Sequence, residues 1–129
     1  MKYLIAATSW TLLIVYLLLI RVPSQVPELT FTIPHFDKLV HATLFFVAGY
    51  LYIKTFETYF KKSTHSKISF WVLGLLISFA IITELMQNFW TTYRTGSIGD
   101  ASADIIGGSV SILFSKKIDF FSKRFGILK

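Results

Sequence analysis

The segment from Ile68 to Trp90 constrains this chain more than any other, because Glu84 is its only charged residue. At 1.5 Å per residue it makes a helix about 35 Å long, enough to cross a hydrocarbon layer of about 30 Å. A helix lying on a soluble core needs a polar stripe for water, and this segment has none. A second block, Tyr3 to Ile20, is broken only by Thr8, Ser9 and Thr11 and holds no charged residue. A signal peptide is the rival reading of that block, since Lys2 makes a basic start. The apolar run outlasts an ordinary signal core and no small-x-small cleavage pattern follows it, so an uncleaved helix is expected.

Two further blocks extend the pattern. Leu39 to Phe60 is rich in Phe and Tyr, and Ala101 to Phe114 follows a polar turn over 91–99. The last block is only about 21 Å long as a helix, so its ends or its neighbours must make up the depth. Its Gly107, Gly108, Ser109 and Ser111 are small enough to let two membrane helices approach closely. Pro23, Pro27 and Pro34 rule out a continuous helix over 21–36. The end of the chain, 116–129, mixes Lys116, Lys117, Lys123, Arg124 and Lys129 with Phe120, Phe121, Phe125, Ile127 and Leu128. It reads as an interfacial amphipathic segment. The expectation is an all-α integral membrane bundle, one domain over 1–129, with four transmembrane helices and that interfacial segment. The 53% hydrophobic composition agrees, since a soluble domain of this size is rarely so apolar.

Charge supplies an orientation. Ten of the thirteen basic residues fall beside the N-terminus, the 61–67 connection and the C-terminal tail; Arg21, Lys38 and Arg94 are on the other side. By the positive-inside rule both termini are cytoplasmic, in a multi-pass protein of the cell membrane. The net charge of +6 is thereby explained as topology, and no nucleic-acid partner is expected. The chain has no cysteine, which removes disulfides, thiolate metal sites and thiol nucleophiles.

The acids sort oppositely. Glu28, Asp37, Glu84, Asp100 and Asp104 lie toward the outer side, and only Glu57 and Asp119 toward the inner. Acids contribute little to topology, so their segregation points to a site. Asp37 and His41 are four apart, as are Asp100 and Asp104, while Glu84 and Gln87 are three apart; each pair shares a helical face. In an up-down bundle these helix ends meet at the outer surface, joined by Lys38 and Arg94. An ionisable residue inside a membrane helix is by default a functional-site hypothesis.

The expected catalytic set is His41, Glu84 and Asp100. His41 exchanges a proton near neutral pH, oriented by Asp37, and Glu84 acts as acid or base. Asp37, Lys38, Gln87, Arg94 and Asp104 are the expected substrate-binding set, Arg94 as a bidentate fork on a phosphate or carboxylate. The plain alternatives are an ion-pair network pinning the helix ends and, for Asp100, a helix cap. Asp37, His41, Glu84, Asp100 and Asp104 are all admissible metal ligands, but no HExxH-type spacing orders them; no metal and no cofactor is assigned. Ser97 and Ser102 lie in no nucleophile elbow, and nothing is assigned to His35 or His65.

These residues together resemble the VanZ-like family of small bacterial membrane proteins. The resemblance rests on Asp37-Lys38-x-x-His41 opening the second helix, Glu84-x-x-Gln87 ending the third, Arg94-x-x-Ser97-x-x-Asp100, and the helix start from Asp100 to Gly108. It covers nearly the whole chain, in order. One departure is Asp104, where the family pattern commonly has Asn. The resemblance implies a bacterial inner-membrane location and a link to the cell envelope, the family being named for teicoplanin resistance; it implies no reaction. The reading is an outer-face polar pocket that binds or acts on an anionic or lipid-linked envelope substrate. The alternatives are a non-catalytic scaffold or glycopeptide-resistance accessory, or a subunit of an oligomeric transporter.

Overall fold

The computed structural model describes residues 1–19, 36–90 and 96–124, with the side chains of Ser122 and Lys123 left aside. Four helices follow one another: α1 (Lys2–Leu19), α2 (Phe36–Tyr59), α3 (His65–Trp90) and α4 (Ile98–Arg124). The fold is an all-α four-helix bundle, as expected. Thr64 caps α3, its carbonyl accepting from Ile68 N at 3.1 Å and its hydroxyl from Lys67 N at 3.4 Å, so the helix begins three residues before the apolar block. The loop over 21–35, with its three prolines, lies outside the described residues.

The helices alternate in direction, so α2 and α4 run parallel. Lys38 meets Asp100 and His41 meets Asp104 near one end, and Tyr50 meets Asp119 near the other. These two helices make the tightest pair. A Cβ on Gly107 would fall 2.1 Å from the Ala42 carbonyl oxygen, and one on Gly49 would fall 3.0 Å from that of Gly108. The small residues therefore mark close backbone approach, as their type predicts. Phe45, Ile53, Val72 and Leu76 fill the centre, and Phe45 stacks on Phe79 at 5.4 Å between α2 and α3. Polar contacts fasten α1 to α2: Trp10 Nε1 donates to the Leu44 carbonyl at 2.9 Å, and Thr11 Oγ1 and the Tyr52 hydroxyl share a hydrogen bond at 2.6 Å.

The outer surface decides the environment. Helices α1, α2 and α3 are each long and apolar enough to cross a membrane, yet only 17% of the α1 span and 28% of the α3 span is buried within the bundle. Leu12, Phe70, Trp71, Ile82, Leu85 and Phe89 point outward. Exposed apolar surface on this scale belongs against lipid rather than water. Helix α4 is long enough but carries Asp100, Asp104, Lys116, Lys117 and Asp119.

The expected short fourth helix with a separate interfacial segment is corrected here. Helix α4 runs on through Ser115 and Lys117 to Arg124, 27 residues in all. No glycine or proline interrupts it beyond Gly108. Buried Ser115 donates back to the Ile112 carbonyl at 2.8 Å, and Asp119 is held against α2 by Tyr50 and Lys54. The amphipathic stretch is thus the last turns of α4; residues 125–129 lie outside the described residues.

Candidate functional site

The polar residues at one end of the bundle come from three helices. Helix α2 enters with Asp37, Lys38 and His41, α3 leaves with Glu84 and Gln87, and α4 enters with Asp100 and Asp104. Lys38 Nζ reaches Asp100 Oδ1 at 3.0 Å, its side chain 41% exposed. One turn deeper, His41 Nδ1 lies 3.1 Å from Asp104 Oδ1, with side-chain exposures of 1% and 0%. The helix ends therefore meet at Lys38, His41, Asp100 and Asp104.

Partners differ from the expected ones in detail. His41 Nδ1 is paired with Asp104. Asp37 stands nearby, since one ligand atom each from Asp37, His41 and Asp100 lie within 4.8 Å of one another. Asp100 does not cap α4. Ser97 does: its carbonyl accepts from Asp100 N and Ala101 N, and its hydroxyl from Gly99 N at 3.1 Å. A short hydroxyl reaches the second amide of a helix more readily than a carboxylate three positions inside it, which frees Asp100 for Lys38. Gln87 Nε2 donates to the Leu18 carbonyl at 3.1 Å, covering an end of α1. Arg94 lies outside the described residues, so its expected contact with the acids does too.

Glu84 is held by the approach to α4. A Cβ on Gly96 would sit 2.5 Å from the Glu84 carbonyl oxygen, so glycine is needed for residues 96–97 to pass this close. Ser97 N then donates to Glu84 Oε2 at 2.6 Å. The other oxygen, Glu84 Oε1, is buried without a hydrogen-bond partner, and so is Asp104 Oδ2. Folded proteins pair nearly all buried polar atoms, so two such carboxylate oxygens at one end of the bundle are an exceptional feature. One ligand atom each from His41, Glu84 and Asp104 lie within 4.8 Å of one another. Glu84 also lines a cleft of about 260 Å³ between α3 and α4, with Asn88, Gly96, Ser97 and Ala101.

Chemically, a carboxylate on one ring nitrogen fixes the orientation and tautomer of His41. A second carboxylate at the end of a cleft can give or take a proton, or hold a cation. Asp104 is more central than a binding residue at the rim, being fully buried against the imidazole.

The opposite end holds a second network that sequence reasoning missed. Lys54 Nζ reaches both Glu57 Oε2 and Asp119 Oδ2. The Tyr50 hydroxyl donates to Asp119 Oδ1 at 3.0 Å, and His65 Nδ1 lies 2.8 Å from Glu57 Oε1. His65, to which nothing was assigned, is thus a hydrogen-bond partner of Glu57. The signal available was the three-residue spacing of Lys54 and Glu57, which puts them on one helical face.

No known protein family, curated protein or solved structure matches the chain in comparisons with each. On its own residues it is a small helical membrane protein, with three helices long and apolar enough to span the bilayer.

Proposed function

We propose that this chain is a four-span bacterial inner-membrane protein, akin to the VanZ-like family, that holds an anionic, lipid-linked envelope substrate in the polar end built by α2, α3 and α4. The observation that marks this end as a site is the pair of unpartnered carboxylate oxygens, Glu84 Oε1 and Asp104 Oδ2, beside buried His41, and the partly exposed Lys38 at its rim is what favours an anionic headgroup. Polar groups are costly in a bilayer and persist where they serve a pathway or pocket. Lys38, partly exposed at the rim, and Arg94, in the segment between α3 and α4, receive the anionic headgroup. His41 and Glu84 transfer protons, and Asp100 holds Lys38 in place. The ordered motifs and the lipid-facing surface support the same reading.

The polar end faces the outer leaflet, because the basic residues gather at the other end. The chain contains no cysteine, so single replacements report topology directly. A membrane-impermeant maleimide on intact spheroplasts should label Thr30→Cys and spare Ser66→Cys; the reverse pattern inverts the orientation.

Binding is tested with the protein in lipid nanodiscs. A long-chain polyprenyl phosphate should bind about tenfold or more tighter than the matching neutral alcohol, one charge-assisted contact being worth about that much. Lys38→Met combined with Arg94→Gln should erase the difference. Equal affinity of the wild type for phosphate and alcohol would defeat the proposed substrate class.

A further inference from the structure

Among the described residues around the pocket the acids outnumber the cations. Asp37, Glu84, Asp100 and Asp104 face Lys38 and the imidazole of His41, and Lys38 is engaged by Asp100. Among the described residues no lysine or arginine lies within ion-pair distance of Glu84 or Asp104. A pocket of this sign repels an anionic headgroup unless something positive enters it.

We infer that His41, Glu84 and Asp104 form a site for one divalent transition-metal ion, zinc foremost, with an open coordination position toward the cleft. The inference deepens the pocket proposed above and rests on it only for what the ion then meets. The three side chains come from three different helices, and one ligand atom of each lies within 4.8 Å of the others. His41 Nδ1 and Asp104 Oδ1 are 3.1 Å apart. Two donors at zinc-ligand distances and a tetrahedral angle lie about 3.4 Å apart, so this contact is already close to the spacing of two ligands on one ion.

The unpartnered oxygens are the second, independent observation. Glu84 is 8% exposed and Asp104 0%, and each keeps one buried oxygen with nothing to bond. The other oxygen of Glu84, Oε2, is fixed by Ser97 N at 2.6 Å, while Asp104 Oδ1 faces His41 Nδ1 as the donor described above. One anchored oxygen and one open one is how a ligating carboxylate is oriented.

Ligand chemistry selects the ion. An imidazole with two carboxylates suits zinc, whereas magnesium and calcium favour oxygen ligands throughout. Three protein ligands leave a fourth position for water or a phosphate oxygen, and Glu84 lines the cleft from which it would come. The ion would offset the local excess of acid and bridge the headgroup that Lys38 and Arg94 receive.

The test uses the full chain in detergent micelles, purified without a polyhistidine tag and stripped with a chelator. After incubation with zinc chloride and desalting, elemental analysis should find about one zinc per chain. Asp104→Asn and Glu84→Gln, which keep size and shape, should each retain less than about one fifth of that. Zinc-free wild type, or full zinc in both variants, overturns the site. Should a variant lose its helical circular dichroism, cobalt substitution of the wild type decides instead. A visible d–d band that zinc displaces upholds the site, and its absence overturns it. Failure of the ion is separable from failure of the pocket. Polyprenyl phosphate that binds equally with and without chelator overturns the ion and leaves the pocket standing. Stoichiometric zinc with no preference for phosphate over alcohol upholds the ion and removes the substrate reading.

Discussion

The two ends of this bundle use the same residue types and leave them in opposite states. At the Lys54 end every carboxylate oxygen has a partner: Glu57 takes Lys54 and His65, and Asp119 takes Lys54 and Tyr50. At the His41 end Asp100 and Asp104 are engaged through one oxygen each, and buried Oδ2 of Asp104 and Oε1 of Glu84 have none. The closed network is the wetter of the two, with side chains 12–31% exposed, while His41 and Asp104 are essentially sealed. A clamp whose only task is to hold helices together can satisfy itself and tolerate some water. The open end bears the greater desolvation cost with fewer internal partners, which a clamp does not need and the proposed site does.

The comparison breaks most readily at Lys54. Lys54→Met leaves Glu57 and Asp119 without their shared cation, and the expected loss is about 2–3 kcal/mol, below the range for fully buried pairs because these acids keep some water. Adding Asp119→Asn to Lys54→Met should recover about half of that loss, since one of the two stranded charges is then removed. Reversible unfolding in mixed micelles measures both. A loss within about 0.5 kcal/mol for Lys54→Met would mean that this end is not a clamp.

The smaller effect is expected at the other end. Asp104→Asn in the metal-free protein keeps an acceptor for the His41 ring and removes a buried charge that lacks a full set of partners. Its stability should stay within about 0.5 kcal/mol of wild type, measured in the same micelles, while zinc uptake falls. A destabilisation of 2 kcal/mol or more, on the order of a broken buried pair, would make the His41 end a second clamp and dissolve the contrast.

Legibility from the sequence followed the range of the forces involved. The spans of α1, α2 and α3 were readable because apolar length against bilayer thickness is a local property. So was the face-sharing of Asp37 with His41 and of Asp100 with Asp104, which needs only the helical repeat. The small residues at Gly107 and Gly108 were readable as a contact surface, though not the Ala42 carbonyl they meet. The continuity of α4 past Phe114 was not readable, because lysines there suggest an interface. Its last turns are held against α2 by a tertiary contact, Asp119 on Lys54 and Tyr50. The role of His65 was hidden for the same reason, since its partner Glu57 belongs to the preceding helix.

The sequence by itself determined that this is a membrane helix bundle and that its acids gather at one end, because hydropathy, helical repeat and charge asymmetry are written residue by residue. Only the tertiary structure decided which acid pairs with which base. Ser97 rather than Asp100 caps α4, Asp104 faces His41, and one oxygen each of Glu84 and Asp104 is left over. Pairing depends on how closely α2 and α4 approach at Gly107 and how closely residues 96–97 pass Glu84 at Gly96. Those distances are set by packing between segments far apart in the chain, and no local pattern encodes them.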